Sequence, residues 1–277
     1  MSAQLQDLPL YLQRLGFQRA PPPSLETLRE LQLRHTGEFA FETIATLVHA
    51  PVPIDLPSLQ RKLLHEGRGG YCYELNLMFL ALLQDLGFQA RGITGRVVMG
   101  GPEDAMTART HLVVLVTVEG VEYLADVGFG GMVPTAPLRL AERGEQGTPH
   151  ELYRLDRRDD SYVLRAKVGG EWRALYVFDT QPQAAIDFEV GNWYVSAHPQ
   201  SPFRDQLFVA RTGPGWRKTL SNGSFAIHRI GAASERRELE GAQAVMAVLR
   251  EEFGLRLPSG PELGEAIGRR LAVGARG

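Results

Sequence analysis

A single cysteine, Cys72, occurs in the 277 residues. No internal disulfide is possible, and no oxidising compartment is implied. Neither sign of charge is in large excess. Lys and Arg number 30 and Asp and Glu 32, a formal net charge of −2. No basic block stands out, which argues against nucleic-acid binding through a charged face. No apolar run is long enough to cross a bilayer. The stretch Met1-Ser2-Ala3-Gln4-Leu5-Gln6-Asp7 has neither the basic nor the apolar region of a signal peptide. There is no internal repeat, no low-complexity segment, and neither a Walker-type loop nor a dinucleotide fingerprint. With hydrophobic content at 44% and charged content at 22%, the composition is that of an ordinary globular protein. The length allows two or three packed subdomains, and the default address is the cytoplasm.

The lone cysteine sits in Arg68-Gly69-Gly70-Tyr71-Cys72-Tyr73-Glu74-Leu75-Asn76. Gly69 and Gly70 have no Cβ, so the backbone there is free to turn sharply and to approach a ligand. A helical pattern starts at Cys72, with Leu75, Met78, Phe79, Leu82, Leu83 and Leu86 at three- and four-residue spacing, and Gly87 stops it. A thiol in the first turn of a helix faces unpaired N–H groups and the positive end of the dipole. Both favour the nucleophilic thiolate. A lone cysteine is more often an inert core residue, so the functional reading needs a base and a group to orient it.

Before the cysteine the chain reads as helix. Leu8, Leu12 and Leu15 share one face, Ser24 caps a helix carrying Leu25, Leu28 and Leu31, and a short helix spans Ser58–Glu66. After Gly87 the period becomes alternating. Strands are expected at Gln89–Val98, His111–Val118, Val121–Val127, Tyr153–Leu155, Tyr162–Val168 and Trp172–Phe178. Asp187–Val195 reads as a bridge to a proline-containing loop. Phe208–Arg211 and Phe225–Ile230 read as further strands, with Asn222-Gly223 as a turn, and two amphipathic helices close the chain.

The base and its partner lie on one hairpin. His111-Leu112-Val113-Val114-Leu115-Val116-Thr117-Val118 and Val121-Glu122-Tyr123-Leu124-Ala125-Asp126-Val127 flank a Glu119-Gly120 turn. Pairing about that turn sets residues whose numbers sum to 239 opposite each other, so Asp126 faces Val113. His111 and Val113 point the same way because side chains alternate. Imidazole and carboxylate then lie within roughly 5–8 Å on one face. His35 at a helix end is explained by the helix dipole. His65 and His198 have no acid placed beside them by a local turn. The helix start carrying Cys72 must meet the His111 face through a non-local contact on which the sequence is silent.

These segments resemble those of the arylamine N-acetyltransferase family, and the match runs over most of the chain. Arg68–Asn76 resembles the family's nucleophile motif almost residue for residue. Thr110-His111-Leu112 and Asp126-Val127-Gly128-Phe129-Gly130 resemble its other two triad segments, and Asn192-Trp193-Tyr194-Val195-Ser196-Ala197-His198-Pro199-Gln200-Ser201-Pro202-Phe203 resembles a fourth. One departure is Phe39-Ala40-Phe41-Glu42-Thr43, where the family usually has Ile-Pro-Phe-Glu-Asn.

The resemblance implies an α+β fold similar to papain-like cysteine hydrolases in its core. An N-terminal helical bundle (residues 1–87) would carry the nucleophile, a central antiparallel β-barrel (88–196) the His and Asp, and a C-terminal α/β lid (197–277) would complete it. It implies a catalytic triad of Cys72, His111 and Asp126, acting on acetyl-CoA through an acetyl-cysteine thioester in a ping-pong sequence, without a metal. The acceptors implied are arylamines or arylhydrazines, as in xenobiotic metabolism, with Phe41, Phe129 and Phe203 lining their pocket. Thr107 and Ala108 match a family stretch near coenzyme A; its phosphates are expected on loop N–H groups and scattered Lys or Arg. The partners expected are small molecules, with no nucleic acid or membrane, and a monomer or homodimer. A cysteine hydrolase using the same triad is the alternative. It differs in letting water, not an amine, discharge the intermediate.

Overall fold

The structure is a computed structural model that describes residues 4–274. Met1, Ser2 and Ala3 of the N-terminal stretch, and residues 275–277, lie outside the described residues. The described α-helices are α1 (Leu8–Arg14), α2 (Leu25–Glu38), α3 (Ile44–Leu47), α4 (Leu56–Gln60), α5 (Cys72–Asp85), α6 (Ala185–Ala197), α7 (Gly241–Glu251) and α8 (Glu262–Gly274). Among them no helix is long and apolar enough to cross a membrane. The strands are β1 (Phe41–Glu42), β2 (Gln89–Val97), β3 (Arg109–Val118), β4 (Val121–Ala125), β5 (Leu138–Arg139), β6 (Gln146–Gly147), β7 (Leu152–Arg158), β8 (Ser161–Val168), β9 (Glu171–Asp179), β10 (Phe208–Gly213), β11 (Trp216–Ser221), β12 (Ser224–Arg229) and β13 (Glu235–Glu238).

Helices α1, α2, α4 and α5 pack around Tyr11, Leu28, Leu31, Leu59, Phe79 and Leu82. The Ser24 hydroxyl caps α2 by accepting from Thr27 N–H, as its residue type suggests. The eight-stranded sheet runs β5-β4-β3-β2-β9-β8-β7-β6, all neighbours antiparallel. Its two edge strands meet through the side chain of Gln146, which accepts from Arg139 N–H (2.7 Å) and donates to Arg139 C=O (3.1 Å). That contact nearly closes the sheet into a barrel. Inside it lie Ile93, Val113, Leu115, Leu124 and Tyr176. The alternate residues of β3, Val114, Val116 and Val118, face outward into the helical core. β3 is thus buried on both faces, and its apolar run follows from that.

The second sheet runs β1-β10-β11-β12-β13. Its apolar face packs on α3, α7 and α8 through Ile44, Val209, Leu220, Phe225, Val245 and Ile267. This sheet with its helices makes the C-terminal lid, and it recruits β1 from the N-terminal part. The architecture is α+β, with bundle, barrel and lid in that order.

Several features differ from the sequence reading. The segment read as a bridge is the helix α6. Phe188, Asn192 and Val195 lie on its buried face, and Asp187 caps it by accepting Ala184 N–H at 2.8 Å. Gly191 interrupts its helical signal, yet no Cβ fits there, because Tyr73 Oη lies 2.0 Å from where one would sit. Strand β11 and the short strands β1, β5, β6 and β13 lie where the sequence reading places none. His35 is not a dipole-stabilised cation: it is fully buried, with Tyr11, Phe39 and Phe79 around its ring. Burial pushes its pKa down to about 3.

Candidate active site

Cys72 is the first residue of α5, and the ion pairs beneath it fix that helix start. Glu74, three residues past the N-cap position, accepts Tyr71 N–H at 3.1 Å and pairs with Lys62 at 2.5 Å. The neighbouring Glu42 pairs with Arg68 at 2.7 Å and accepts Ile44 N–H at 2.5 Å. Gly69 and Gly70 are needed for this packing. A Cβ at Gly69 would lie 2.1 Å from Ala40 C=O, and one at Gly70 would lie 2.8 Å from Glu74 Cβ. The double glycine makes room for the protein's own chain, a correction to the reading that it serves close approach to a ligand. Thr43, part of the departure from the family pattern, ties α3 to the lid: its hydroxyl accepts Phe208 N–H at 2.9 Å and donates to Gln206 C=O at 3.1 Å.

The hairpin has the register that the turn dictates. Val114 pairs with Ala125 and Val118 with Val121, and both turn residues, Glu119 and Gly120, have positive φ. His111 Nε2 lies 2.8 Å from Asp126 Oδ2. Opposite His111 the β2–β3 register shifts, so Gly95 pairs with His111 and Arg96 with Arg109. Thr110 is the bulged residue, and its carbonyl accepts from the Cys72 thiol at 3.6 Å.

The contact left open by the sequence is made by Asn76, one turn after Cys72 on α5. Its Nδ2 donates to Leu112 C=O (2.7 Å) and to Asp126 Oδ1 (3.0 Å), and its Oδ1 accepts Val127 N–H (3.0 Å). Gly128 permits the approach, since a Cβ there would lie 2.7 Å from Asn76 Nδ2 and 2.8 Å from Cys72 Cα. The Asp126 carboxylate receives two further donors, Gly128 N–H at 2.8 Å and Tyr176 Oη at 3.0 Å. The Tyr176 ring also packs on His111, 4.7 Å between centroids, and Phe129 packs edge-on at 4.9 Å. Nothing in the sequence reading identifies Tyr176. Its role comes from β9 pairing with β2, a long-range pairing without a local signal.

Cys72, His111 and Asp126 thus form one connected group. Burial alone would push the His111 imidazole down. The Asp126 charge and hydrogen bond, with a hydrogen bond to Cys72, outweigh it and raise the pKa to about 10. Burial would raise the Asp126 pKa, but His111, Asn76 and Gly128 N–H together hold it below the usual carboxylate value. The arrangement keeps an imidazolium beside the sulfur and a carboxylate behind the imidazolium.

Cys72 and His111 open into a cavity of about 380 Å³. Phe41, Phe129 and Phe203 all line it, as do Phe208, Tyr194 and Met99. Phe203 packs edge-on against Phe41, Tyr71 and Phe208. No charged Asp, Glu, Lys or Arg is among the lining residues. Thr107 and Ala108 are exposed on the segment before β3, outside the cavity wall.

Comparison with known proteins identifies the family. A family model described as N-acetyltransferase matches residues 24–261. The arylamine N-acetyltransferase of Mycolicibacterium smegmatis is 41% identical over 267 residues, covering 95% of this chain and 94% of the relative. That of Escherichia coli (strain K12) is 39% identical over 246 residues, covering 88% and 87%. The solved structure of Mycobacterium marinum arylamine N-acetyltransferase in complex with CoA superposes with a TM-score of 0.90 at 42% identity, covering 95% of this chain and 99% of that one. The chain therefore belongs to the arylamine N-acetyltransferases, a family of acetyl-transferring enzymes.

Proposed function

We propose that this chain carries the acetyl group of acetyl-CoA to arylamines or arylhydrazines by way of an acetyl thioester on Cys72. One observation carries the reading: the only thiol in the chain lies beside a buried imidazole whose other nitrogen is held by a four-donor carboxylate. The relative solved in complex with CoA supports the donor. Cys72 Sγ attacks the thioester carbonyl as thiolate, with His111 as imidazolium. Asp126 fixes the ring and stabilises its charge. The tetrahedral oxyanion is met by N–H groups of the first turn of α5, each worth about 3 kcal/mol by analogy with other oxyanion donors. The carbon–sulfur bond to CoA breaks, and CoA leaves with the proton from His111. The amine then attacks acetyl-Cys72, gives a proton to His111, and frees the Cys72 sulfur.

The acceptor sits against Phe41, Phe129 and Phe203. A wall without acidic side chains favours an amine that is neutral at working pH, as aromatic amines are. Thr107 and Ala108 lie along the path of the donor. In this reading residues 1–87 supply the nucleophile, 88–196 the base and its carboxylate, and 197–277 the cover. A reactive thiol of this kind belongs in a reducing compartment, the cytoplasm.

The test is a single turnover without acceptor. Acetyl-CoA should release one equivalent of CoA, and Cys72 should gain the mass of an acetyl group. Adding an aniline should discharge it as the acetanilide, and Cys72→Ala should abolish both steps. CoA release without a mass gain on Cys72 would remove the covalent intermediate. Discharge as fast in water as with amine would make the chain a hydrolase.

A further inference from the structure

The donor in this reading is larger than the cavity that takes its acetyl group. The wall is mainly apolar, and no Lys or Arg belongs to it. The phosphates at the nucleotide end of acetyl-CoA cannot enter such a space without a paired charge. They must stay outside, where a cation at the rim can meet them.

Two arginines stand at that rim. Arg96 and Arg109 are direct partners across β2 and β3. Each immediately precedes a residue of the cavity wall, Val97 and Thr110 respectively. Arg109 pairs with Asp179. Arg96 has no carboxylate within ion-pair distance among the described residues; its guanidinium donates to the carbonyl of Thr107. Burial would raise the Asp179 pKa, and the hydrogen bonds from Arg109 and Gln181 N–H, with the charges of Arg109 and Arg96, hold it below the usual value. The one carboxylate of the cluster pairs with Arg109, and Arg96 is left as a positive charge in excess. The rim is also held in shape. Thr107 Oγ1 donates to Val97 C=O at 3.0 Å, and Glu103, in the same connection, is gripped by Arg165 at 2.6 Å. A fixed guanidinium fork with spare donors suits a phosphate group.

We propose that Arg96, supported by Arg109, binds a phosphate of the donor's nucleotide end where it passes Thr107 and Ala108. This rests on acetyl-CoA being the donor. Asp179 moderates the site by neutralising part of its charge.

The test uses the full chain, one arylamine acceptor and three donors: acetyl-CoA, acetyl-dephospho-CoA and S-acetylpantetheine, which has no phosphate. Arg96→Ala should raise KM for acetyl-CoA about tenfold, the worth of one charge-assisted hydrogen bond, with kcat little changed. Its KM for S-acetylpantetheine should stay at the wild-type value. Asp179→Asn should lower KM for acetyl-CoA, and Arg96→Lys should restore part of the loss. An unchanged KM for acetyl-CoA in Arg96→Ala overturns the proposal. So does an equal rise for all three donors, which would mean only that the rim had loosened. If the wild-type protein releases no CoA from acetyl-CoA, the catalytic reading has failed separately. Calorimetric titration of wild type and Arg96→Ala with CoA alone then decides on the site: equal affinities overturn it, and a tenfold weaker variant supports it.

Discussion

Asp126 is the residue on which the site's electrostatics turn. Four donors converge on its two oxygens: Asn76, Gly128 N–H, His111 and Tyr176. Asp126→Asn keeps the shape and removes the charge that raises the His111 pKa. We expect kcat/KM to fall by about three to four orders of magnitude, as when the orienting acid of a Ser-His-Asp triad is neutralised. The imidazole titration followed by NMR should move down from the wild-type position near 10. An unmoved titration would mean that Asp126 does not set the charge on His111. Stability should follow the same pair. His111 has its pKa raised in the folded state, from 6.5 to about 10. Its contribution is complete below pH 6.5 and is lost as pH rises through about 10. Asp126 has its pKa lowered from 3.8, so its contribution is complete above that value and is lost as pH falls through the lower folded value. His111→Gln should therefore flatten the decline in urea midpoint on the alkaline side. A decline as steep as wild type would assign it to other groups.

Helix α5 and the β3–β4 hairpin are held together by contacts in which spacing, not chemistry, is critical. Gly128 is the clearest case: an alanine Cβ would lie 2.8 Å from Cys72 Cα, and backbone cannot swing aside as a long side chain can. Gly128→Ala should push the first turn of α5 away from His111. A displacement near 1 Å costs about a hundredfold in rate, so acylation of Cys72 should fall by at least that much while the fold persists by circular dichroism. A variant that acylates normally would show that the two elements tolerate separation. The same junction explains which elements could be read in advance. The hairpin was legible because Glu119-Gly120 fixes its register locally, and α5 because its apolar spacing is regular from Leu75 to Leu86. Helix α6 was hidden by Gly191, whose role is to let Tyr73 approach. Strand β11 has polar residues on its barrel side, so no apolar alternation marks it. Asn76 and Tyr176 act on Asp126 through pairings of elements far apart in sequence, and no local pattern encodes those. The Gly69-Gly70 pair is visible in the sequence but its purpose is not, because a demand for space looks the same in sequence whether chain or ligand fills it.

Bundle, barrel and lid are bound to one another through α2. Gln32 donates to Asp126 C=O at 3.2 Å and to Pro134 C=O at 2.8 Å, reaching the loop beyond β4. One turn on, Thr36 meets Thr212 of the lid at 3.1 Å, and Arg211 of the lid donates to Gly37 C=O at 2.7 Å. Between Gln32 and Thr36 lies His35, buried among Tyr11, Phe39 and Phe79, with no hydrogen-bond partner on either ring nitrogen. It is held neutral, with its pKa lowered from 6.5 to about 3 by burial. A histidine with a lowered folded pKa penalises the folded state wherever the unfolded chain is protonated and the folded one is not. That penalty begins as pH falls below 6.5 and grows until about 3. In that window one such group removes roughly 1.4 kcal/mol of stability per pH unit. Because α2 touches all three parts, proton uptake at His35 should release them together. Acid unfolding should then appear as a single transition, with loss of acetyl transfer coinciding with loss of far-UV circular dichroism. His35→Phe keeps an aromatic ring in the site and removes the proton uptake, so its acid midpoint should lie at lower pH than wild type while stability at pH 7 changes less. An unchanged acid midpoint would exclude His35 as the group that sets it, and lid release before loss of helix would show that α2 does not couple the three parts.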